Sequence, residues 1–350
     1  MKTIMKTLLV SIASLSLMFS ANAGELSVSG SAKATYNILN GAQGDNGIGV
    51  TNELNFTASG EMDNGYTWSY SMELDPTDAT DTGTAMNDDT SLKLTTPVGT
   101  FGVFVNEGGL DVEDGASMSV YARPTDAGDP SSGTGDNFTI DGYNNIQYHT
   151  PSGMLPFGTV VKLGYAPDLD DTVNSGNAKG STETKSATGE GRNMTAIQVT
   201  TTPIDGLTIG ASYNEFDGAG LAKNDQDPAS GAYYLKYANG PFSVGYSQAF
   251  KAMLLADNVA ATAVEGYEQT NYSIAYAASD DLSISYEVEE DTKQSVTAST
   301  VDVDQKSKAI QAAYSMGGMT ISASMGSYDN VGWVTTDSID TFLLAVTMAF

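Results

Sequence analysis

Sixteen stretches of this chain alternate apolar with polar residues, and the connections between them alternate between short and long. A two-residue period marks a β-strand with one apolar and one polar face. Leu26, Val28, Gly30, Ala32, Ala34, Tyr36 and Ile38 share one face, opposite Ser27, Ser29, Ser31, Lys33, Thr35 and Asn37. Leu54, Phe56, Ala58 and Met62 repeat the pattern, as do Tyr66, Trp68, Tyr70, Met72 and Leu74. Further segments lie near 90–96, 99–106, 142–150, 158–166, 193–202, 206–216, 231–239, 241–250, 268–278, 281–290, 306–316, 318–327 and 339–350. Short connections carry turn residues, as at Asp63, Asn64 and Gly65, at Pro97 to Gly99, at Asn239 to Pro241 and at Gly317 and Gly318. Seven such turns interleave with eight long, polar, Asp-rich connections, which places both chain ends on the short-turn side. The expected fold is all-β: a 16-stranded antiparallel transmembrane β-barrel with short periplasmic turns and long extracellular loops.

Composition agrees with a strand-built membrane protein. The mean hydropathy is −0.18, and no stretch beyond the N-terminus is apolar enough for a membrane helix. Half of each barrel strand faces water, which keeps the average slightly polar. There are 18 Tyr, suited to interfacial aromatic belts; Tyr66, Trp68, Tyr70, Tyr143 and Tyr148 are candidates for the periplasmic one. The net charge of −28 argues against nucleic-acid partners, because phosphate would be repelled. The chain contains no Cys, so no disulfide can stabilise it outside the cytoplasm, and barrel closure is the available substitute.

Residues 1–23 read as a signal peptide: Lys2 and Lys6, an apolar run from Leu8 to Phe19, then Ala21, Asn22 and Ala23 as a small-x-small cleavage site. Residues 24–350 read as one domain. The last strand is apolar at Phe342, Leu344, Val346, Met348 and Phe350. A final strand of this kind, ending on an aromatic, resembles the recognition signal of outer-membrane β-barrels. Phe350, Met348 and Val346 are therefore assembly-signal candidates, with the barrel-assembly machinery and outer-membrane lipid as expected partners.

In the order of these features the chain resembles the Gram-negative general porins, particularly the alphaproteobacterial type. Gly99 to Val105 is similar to the strand before the third loop of that family, and Gly142 to Pro151 to the strand after it. The resemblance implies a water-filled homotrimeric channel for small hydrophilic solutes and ions. It also implies a third loop, about 107–141, folded into the lumen, and a trimer contact made by the first few strands and the last. The chain departs from the family in carrying only Arg123 and Arg192 beyond the signal, so a wall cluster of arginines is absent.

The third loop is too long for a hairpin, and loops of that length are usually functional or disordered. It holds Asp111, Glu113, Asp114, Asp126, Asp129, Asp136 and Asp141 against Arg123 alone. Folded inward, these carboxylates would line a constriction that favours cations. Strand parity points Lys33, Lys93, Lys162 and Lys236 into the lumen, and Glu53, Glu61, Glu73, Glu287 and Glu289 as well. Asp78, Asp81, Asp88 and Asp89, or Asp168, Asp170 and Asp171, could hold Ca²⁺ through several oxygens, although no EF-hand spacing is present.

Other folds and functions are disfavoured by particular features. A β-sandwich shows the same alternation, but not a regular contrast of loop lengths. No fixed repeat suggests a propeller or solenoid. A barrel enzyme needs a His with an acid or a Ser; His149 is the single His and points inward at the short-turn end, and no Gly-x-Ser-x-Gly elbow occurs. A structural or receptor barrel would be small and filled. A substrate-selective channel would need a ladder of inward aromatics, and only scattered ones such as Phe104 and Tyr234 occur.

Overall fold

The computed structural model describes residues 24–40, 47–74, 87–126, 136–167, 193–217, 224–256, 263–296 and 302–350. The expected signal segment lies outside them. The strands are β1 (Glu25–Asn40), β2 (Gly47–Glu61), β3 (Thr67–Leu74), β4 (Asn87–Thr96), β5 (Gly99–Val105), β6 (Asn145–His149), β7 (Val160–Ala166), β8 (Asn193–Ile204) and β9 (Leu207–Asp217). They continue as β10 (Asn224–Gln226), β11 (Ala229–Asn239), β12 (Phe242–Ala252), β13 (Leu255–Ala256), β14 (Val264–Ala277), β15 (Leu282–Ser295), β16 (Val303–Met316), β17 (Met319–Asp329) and β18 (Ser338–Ala349). All except β10 and β13 form one closed sixteen-stranded barrel. Each of the sixteen expected segments is one of its strands. The short β10 and β13 pair with each other within the long connections, which the alternation did not reveal.

Every barrel neighbour is antiparallel, and β18 closes the sheet on β1 from Ser31↔Ala349 to Asn40↔Asp340. Phe350 extends the seam: its N–H donates to the Gly30 carbonyl (3.0 Å), and its carbonyl accepts from the Gly30 N–H (2.8 Å). Closure leaves no unpaired edge, as a bilayer demands. The turn between β2 and β3 illustrates the short-turn end. There the Gly65 N–H donates to Met62, in a left-handed conformation (φ 80°) that suits glycine.

Parity divides lipid from lumen. Ile310, Tyr314 and Met316 of β16 are exposed on the outside, whereas Gln305, Ser307 and Gln311 are buried within. Leu54 and Phe56 pair with Gly30 and Val28, and Val28 is exposed on the outer face. On β16 the outward apolar run ends at Ile310, and Lys308 and Lys306 follow, paired with Asp329 (3.2 Å) and Glu290 across the sheet. The outward run on β18 is longer, from Phe342 to Phe350; at roughly 2.5 Å of height per residue in a tilted strand it is about 20 Å tall, close to the apolar band of a membrane barrel. Outward aromatics gather at the band edges. Phe242 and Tyr276 (4.8 Å between ring centroids) and Phe101 and Tyr148 (5.1 Å) sit at the short-turn end, and the Tyr148 hydroxyl donates to the Val98 carbonyl (2.7 Å). Tyr143 does not join them, because it packs against the buried cluster of Leu110, Ile140, Ala166, Met194 and Ala196.

Placing a charge in this band should be costly. Ile321 of β17, exposed on the outside and paired with Tyr314 and Val346 within the apolar runs, lies away from the band edge. Ile321→Lys is expected to destabilise the folded barrel in lipid vesicles by about 2–4 kcal/mol, measured by urea unfolding; a loss below about 0.5 kcal/mol would mean that Ile321 does not face lipid.

Candidate pore constriction

The third loop leaves β5 at Asn106 and turns into the barrel. Asn106 (φ 51°) and Gly108 (φ 87°) adopt left-handed conformations there. A side chain on Gly108 would meet Gln147 and Phe104, and the Gln147 amide instead donates to the Gly108 carbonyl (2.5 Å). The loop then crosses the inner wall in the direction of increasing strand number. The Gln198 amide donates to Leu110 O (3.3 Å) on β8, and the Val112 N–H donates to Ser212 Oγ (3.1 Å) on β9. A short 3₁₀ turn spans Glu113–Ala116, and Ser273 of β14 donates to the Ala116 carbonyl (2.5 Å).

Apolar contacts hold the outgoing and returning limbs. Leu110 and Ile140 are buried with Ala166, Met194 and Ala196 of β7 and β8. Val112 and Ala116 are buried with Ala232, Tyr234 and Ala249 of β11 and β12. The wall supplies room where the loop passes closest. A Cβ on Gly245 would collide with the Ala116 carbonyl, and one on Gly115 or Gly210 would strike the Tyr234 ring. Tyr234 therefore packs beneath the loop and does not form part of an open aromatic ladder.

The far end docks on acidic groups of β15. Glu287 accepts from Ser117 Oγ (2.7 Å), from Ser119 Oγ (2.7 Å) and N (3.2 Å), and from Asn271 Nδ2 (2.5 Å). Glu289 accepts from Thr125 N (3.0 Å) and Oγ1 (2.8 Å). The Val120 N–H donates to Ser285 Oγ (3.0 Å), the Tyr121 N–H to Gln311 Oε1 (3.0 Å), and the Tyr328 hydroxyl to the Pro124 carbonyl (2.6 Å). Hydrogen bonds to charged acceptors are stronger than neutral ones. Sequence parity aims Glu287 and Glu289 into the lumen, but in the fold they are anchors for the loop and are fully buried.

The structure brings most of the sequence candidates together around Arg123. Its guanidinium is 8% exposed and contacts Asp114, Asp126 (3.0 Å), Asp136 (3.6 Å) and Glu289 (3.5 Å). Arg123 is thus an internal counter-ion for the loop. Glu113 is buried and accepts from the Asn137 N–H (2.7 Å), which ties the outgoing limb to the returning one. Asp111 and Asp141 both approach Gly109. Burial, reinforced by neighbouring carboxylates, holds the Asp111, Glu113 and Asp114 carboxyls above the usual carboxylate range, and Arg123 only partly offsets this at Asp114. Lys251 of β12, which the sequence reading passed over, lies over the Phe138 ring (4.8 Å), near Asp136 and Glu113. Asp129 lies outside the described residues.

The wall lysines stand apart from this cluster. Lys33 lies over the Tyr121 ring (5.8 Å) and Lys93 over Phe104 (5.3 Å). Lys162 is the cross-strand partner of His149. Val346 and Met348 line the seam, opposite Ala34 and Ala32. Among the described residues, no group of three His, Cys, Asp or Glu could hold a metal ion. Of the Ca²⁺ candidates, only Asp88 and Asp89 fall on described residues, in β4.

Comparison with known proteins agrees with this architecture. The sequence model of the Gram-negative porins matches residues 8–350. No curated protein sequence matches the chain. Among solved structures, the in-vitro folded trimer form of OmpT from Vibrio cholerae is similar at TM-score 0.65 and 14% identity, covering 94% of this chain and 100% of its own. Salmonella typhi OmpF in complex with daunomycin matches at TM-score 0.66 and 14% identity, covering 95% and 100%. A mutant of the Rh. blastica porin matches at TM-score 0.55 and 17% identity, covering 93% and 100%. At these identities the structural matches speak for the fold, and the sequence match over nearly the whole length speaks for the family. With a closed sixteen-stranded barrel and a third loop docked across its interior, the chain belongs to the Gram-negative porin family and is an outer-membrane channel.

Proposed function

We propose that this channel is a general, non-enzymatic porin, passing small hydrophilic solutes and ions by diffusion with a preference for cations. The observation that carries the reading is the third loop. It brings Asp111, Asp114, Asp126 and Asp136 into the lumen while its cation, Arg123, is enclosed by carboxylates. A ring of pore carboxylates attracts cations and repels anions. General diffusion is favoured over selective binding because Phe104, Tyr234 and Tyr328 are all buried. His149 accounts for no catalysis: its Nε2 pairs with Gln147 Oε1 (2.8 Å) at the periplasmic end of the lumen.

The working unit in this reading is a homotrimer, inserted by the barrel-assembly machinery and surrounded by lipid. The outward face of β1 and β2 carries Gly30, Ala32, Ala34, Ala58 and Gly60, while β11 to β16 present Tyr233, Tyr237, Tyr272, Tyr276, Tyr286 and Tyr314. Small side chains permit close approach of another subunit, whereas aromatic belts suit lipid.

Acidification tests the carboxylate origin of the preference. A carboxyl with a raised pKa loses its charge earlier as pH falls. Glu113, buried and pushed up to about 9, is already uncharged at pH 7. Cation preference, read as the reversal potential across a KCl gradient, should therefore begin to fall above the ordinary carboxylate range, because burial raises Asp111 and Asp114. A preference unchanged between pH 7 and about pH 4 would remove these groups from the selectivity mechanism.

A further inference from the structure

We propose that Lys93 and Lys162, with His149 and Gln147, form an anion-binding shelf in the periplasmic half of the lumen, suited to compact multivalent oxyanions such as phosphate groups. The inference rests on the channel reading above. Both lysines face inward: Ser91 beside Lys93 on the same face is buried and Leu92 is exposed, while Ala166 on the Lys162 face is buried and Leu163 is exposed. The sheet register gathers the group. Lys93 and Gln147 both pair with Gly102, and Lys162 pairs directly with His149. Adjacent strands lie about 4.8 Å apart, so the two ammonium groups can converge across β5 and β6. Lys93, Lys162 and His149 are within electrostatic range of one another.

Two features make this a site rather than scattered wall charge. Among the described residues, Arg123, Lys306 and Lys308 have carboxylate partners within ion-pair distance, whereas none reaches Lys93 or Lys162. Like charges left without a counter-ion favour an anion between them. The floor is also fixed. The Phe104 ring fills the space over Gly102, with Lys93 at 5.3 Å and the His149 ring at 6.2 Å. Gln147 is held by Gly108 (2.5 Å), Asn145 (2.9 Å) and His149 (2.8 Å). A buried apolar floor lowers the local dielectric and strengthens attraction to an anion.

Position gives the shelf a direction. Lys93 precedes the turn after Thr96, Lys162 follows the turn before Val160, and the acidic loop departs from the opposite end of β5. An anion arriving from outside meets the loop carboxylates first, and one arriving from the periplasm meets the shelf first.

The test uses pyrophosphate as probe in planar-bilayer recordings of the full-length protein. Pyrophosphate in the periplasm-facing chamber should reduce the KCl current more strongly than from the other chamber. Lys93→Gln/Lys162→Gln should weaken that block about tenfold, equivalent to about 1.4 kcal/mol. Lys308→Gln, on the outer face, should leave the block unchanged, and heat-resistant oligomer would show that each variant folds. Equal block from both sides, or block that survives the double substitution, would overturn the shelf. A barrel that passes no current at all would instead overturn the channel reading. Calorimetric titration of detergent-solubilised protein and its double variant with pyrophosphate then decides the shelf independently: tenfold weaker binding by the variant supports it, and equal binding overturns it.

Discussion

Deletion of Phe350 should leave exported protein that fails to assemble, with heat-resistant oligomer in the outer membrane reduced at least about tenfold. Phe350 completes the seam between the first and last strands through two hydrogen bonds to Gly30. Its ring is 68% exposed on the outer face and lies against the position a Gly30 side chain would take. Loss of two backbone hydrogen bonds at about 1 kcal/mol each, and of an aromatic ring worth about 2 kcal/mol in lipid, removes several kcal/mol from the step that closes the barrel. The deletion also removes the terminal aromatic of the expected assembly signal. Protease sensitivity of the exported chain measures the effect. Normal amounts of protease-resistant oligomer would show that closure does not depend on this residue.

Freeing the third loop should enlarge the passage. Glu287 and Glu289 together accept from Ser117, Ser119 and Thr125 of the loop, and Glu289 also contacts Arg123. Hydrogen bonds to a buried carboxylate contribute about 1.5–3 kcal/mol each, so Glu287→Ala/Glu289→Ala should undock the far end of the loop. Single-channel conductance is expected to rise by a factor of about two, with larger sugars admitted in liposome-swelling assays and the barrel still heat-resistant. Gly245→Val reaches the same end by another route, because its side chain would occupy the site of the Ala116 carbonyl. If both variants keep the parent conductance and size limit, the loop does not set the narrowest point.

The barrel itself was legible in the sequence because lipid and water on opposite faces of one sheet enforce strict alternation. Leu163 and Lys162, or Ile310 and Gln311, could be assigned to sides without coordinates, and the structure places them so. The acidic character of the third loop was legible as well. Its path was not, because docking depends on matches between residues remote in sequence. Gly245 offers no sign that it makes room for Ala116, and Glu287 reads as an ordinary wall charge although it is sealed beneath Ser117 and Ser119. Arg123 reads as a lone pore cation, yet its charge is spent within the loop on Asp114, Asp126, Asp136 and Glu289. The period-two rule also has no resolving power for pieces as short as β10 and β13, which depend on each other for pairing. Tyr143 shows the same limit, since its place beside a turn gave no hint of the buried cluster of Leu110, Ile140 and Met194 that it packs against.

The most direct test of an open passage bounded by loop carboxylates is the reversal potential of the purified channel across a KCl gradient, measured in dilute and in molar salt. Fixed charges act over a Debye length of about 10 Å at 0.1 M and about 3 Å at 1 M. The expected result is a clear potassium preference in dilute KCl that fades in molar KCl. A barrel that does not conduct, or one that prefers chloride in dilute KCl, would contradict the account.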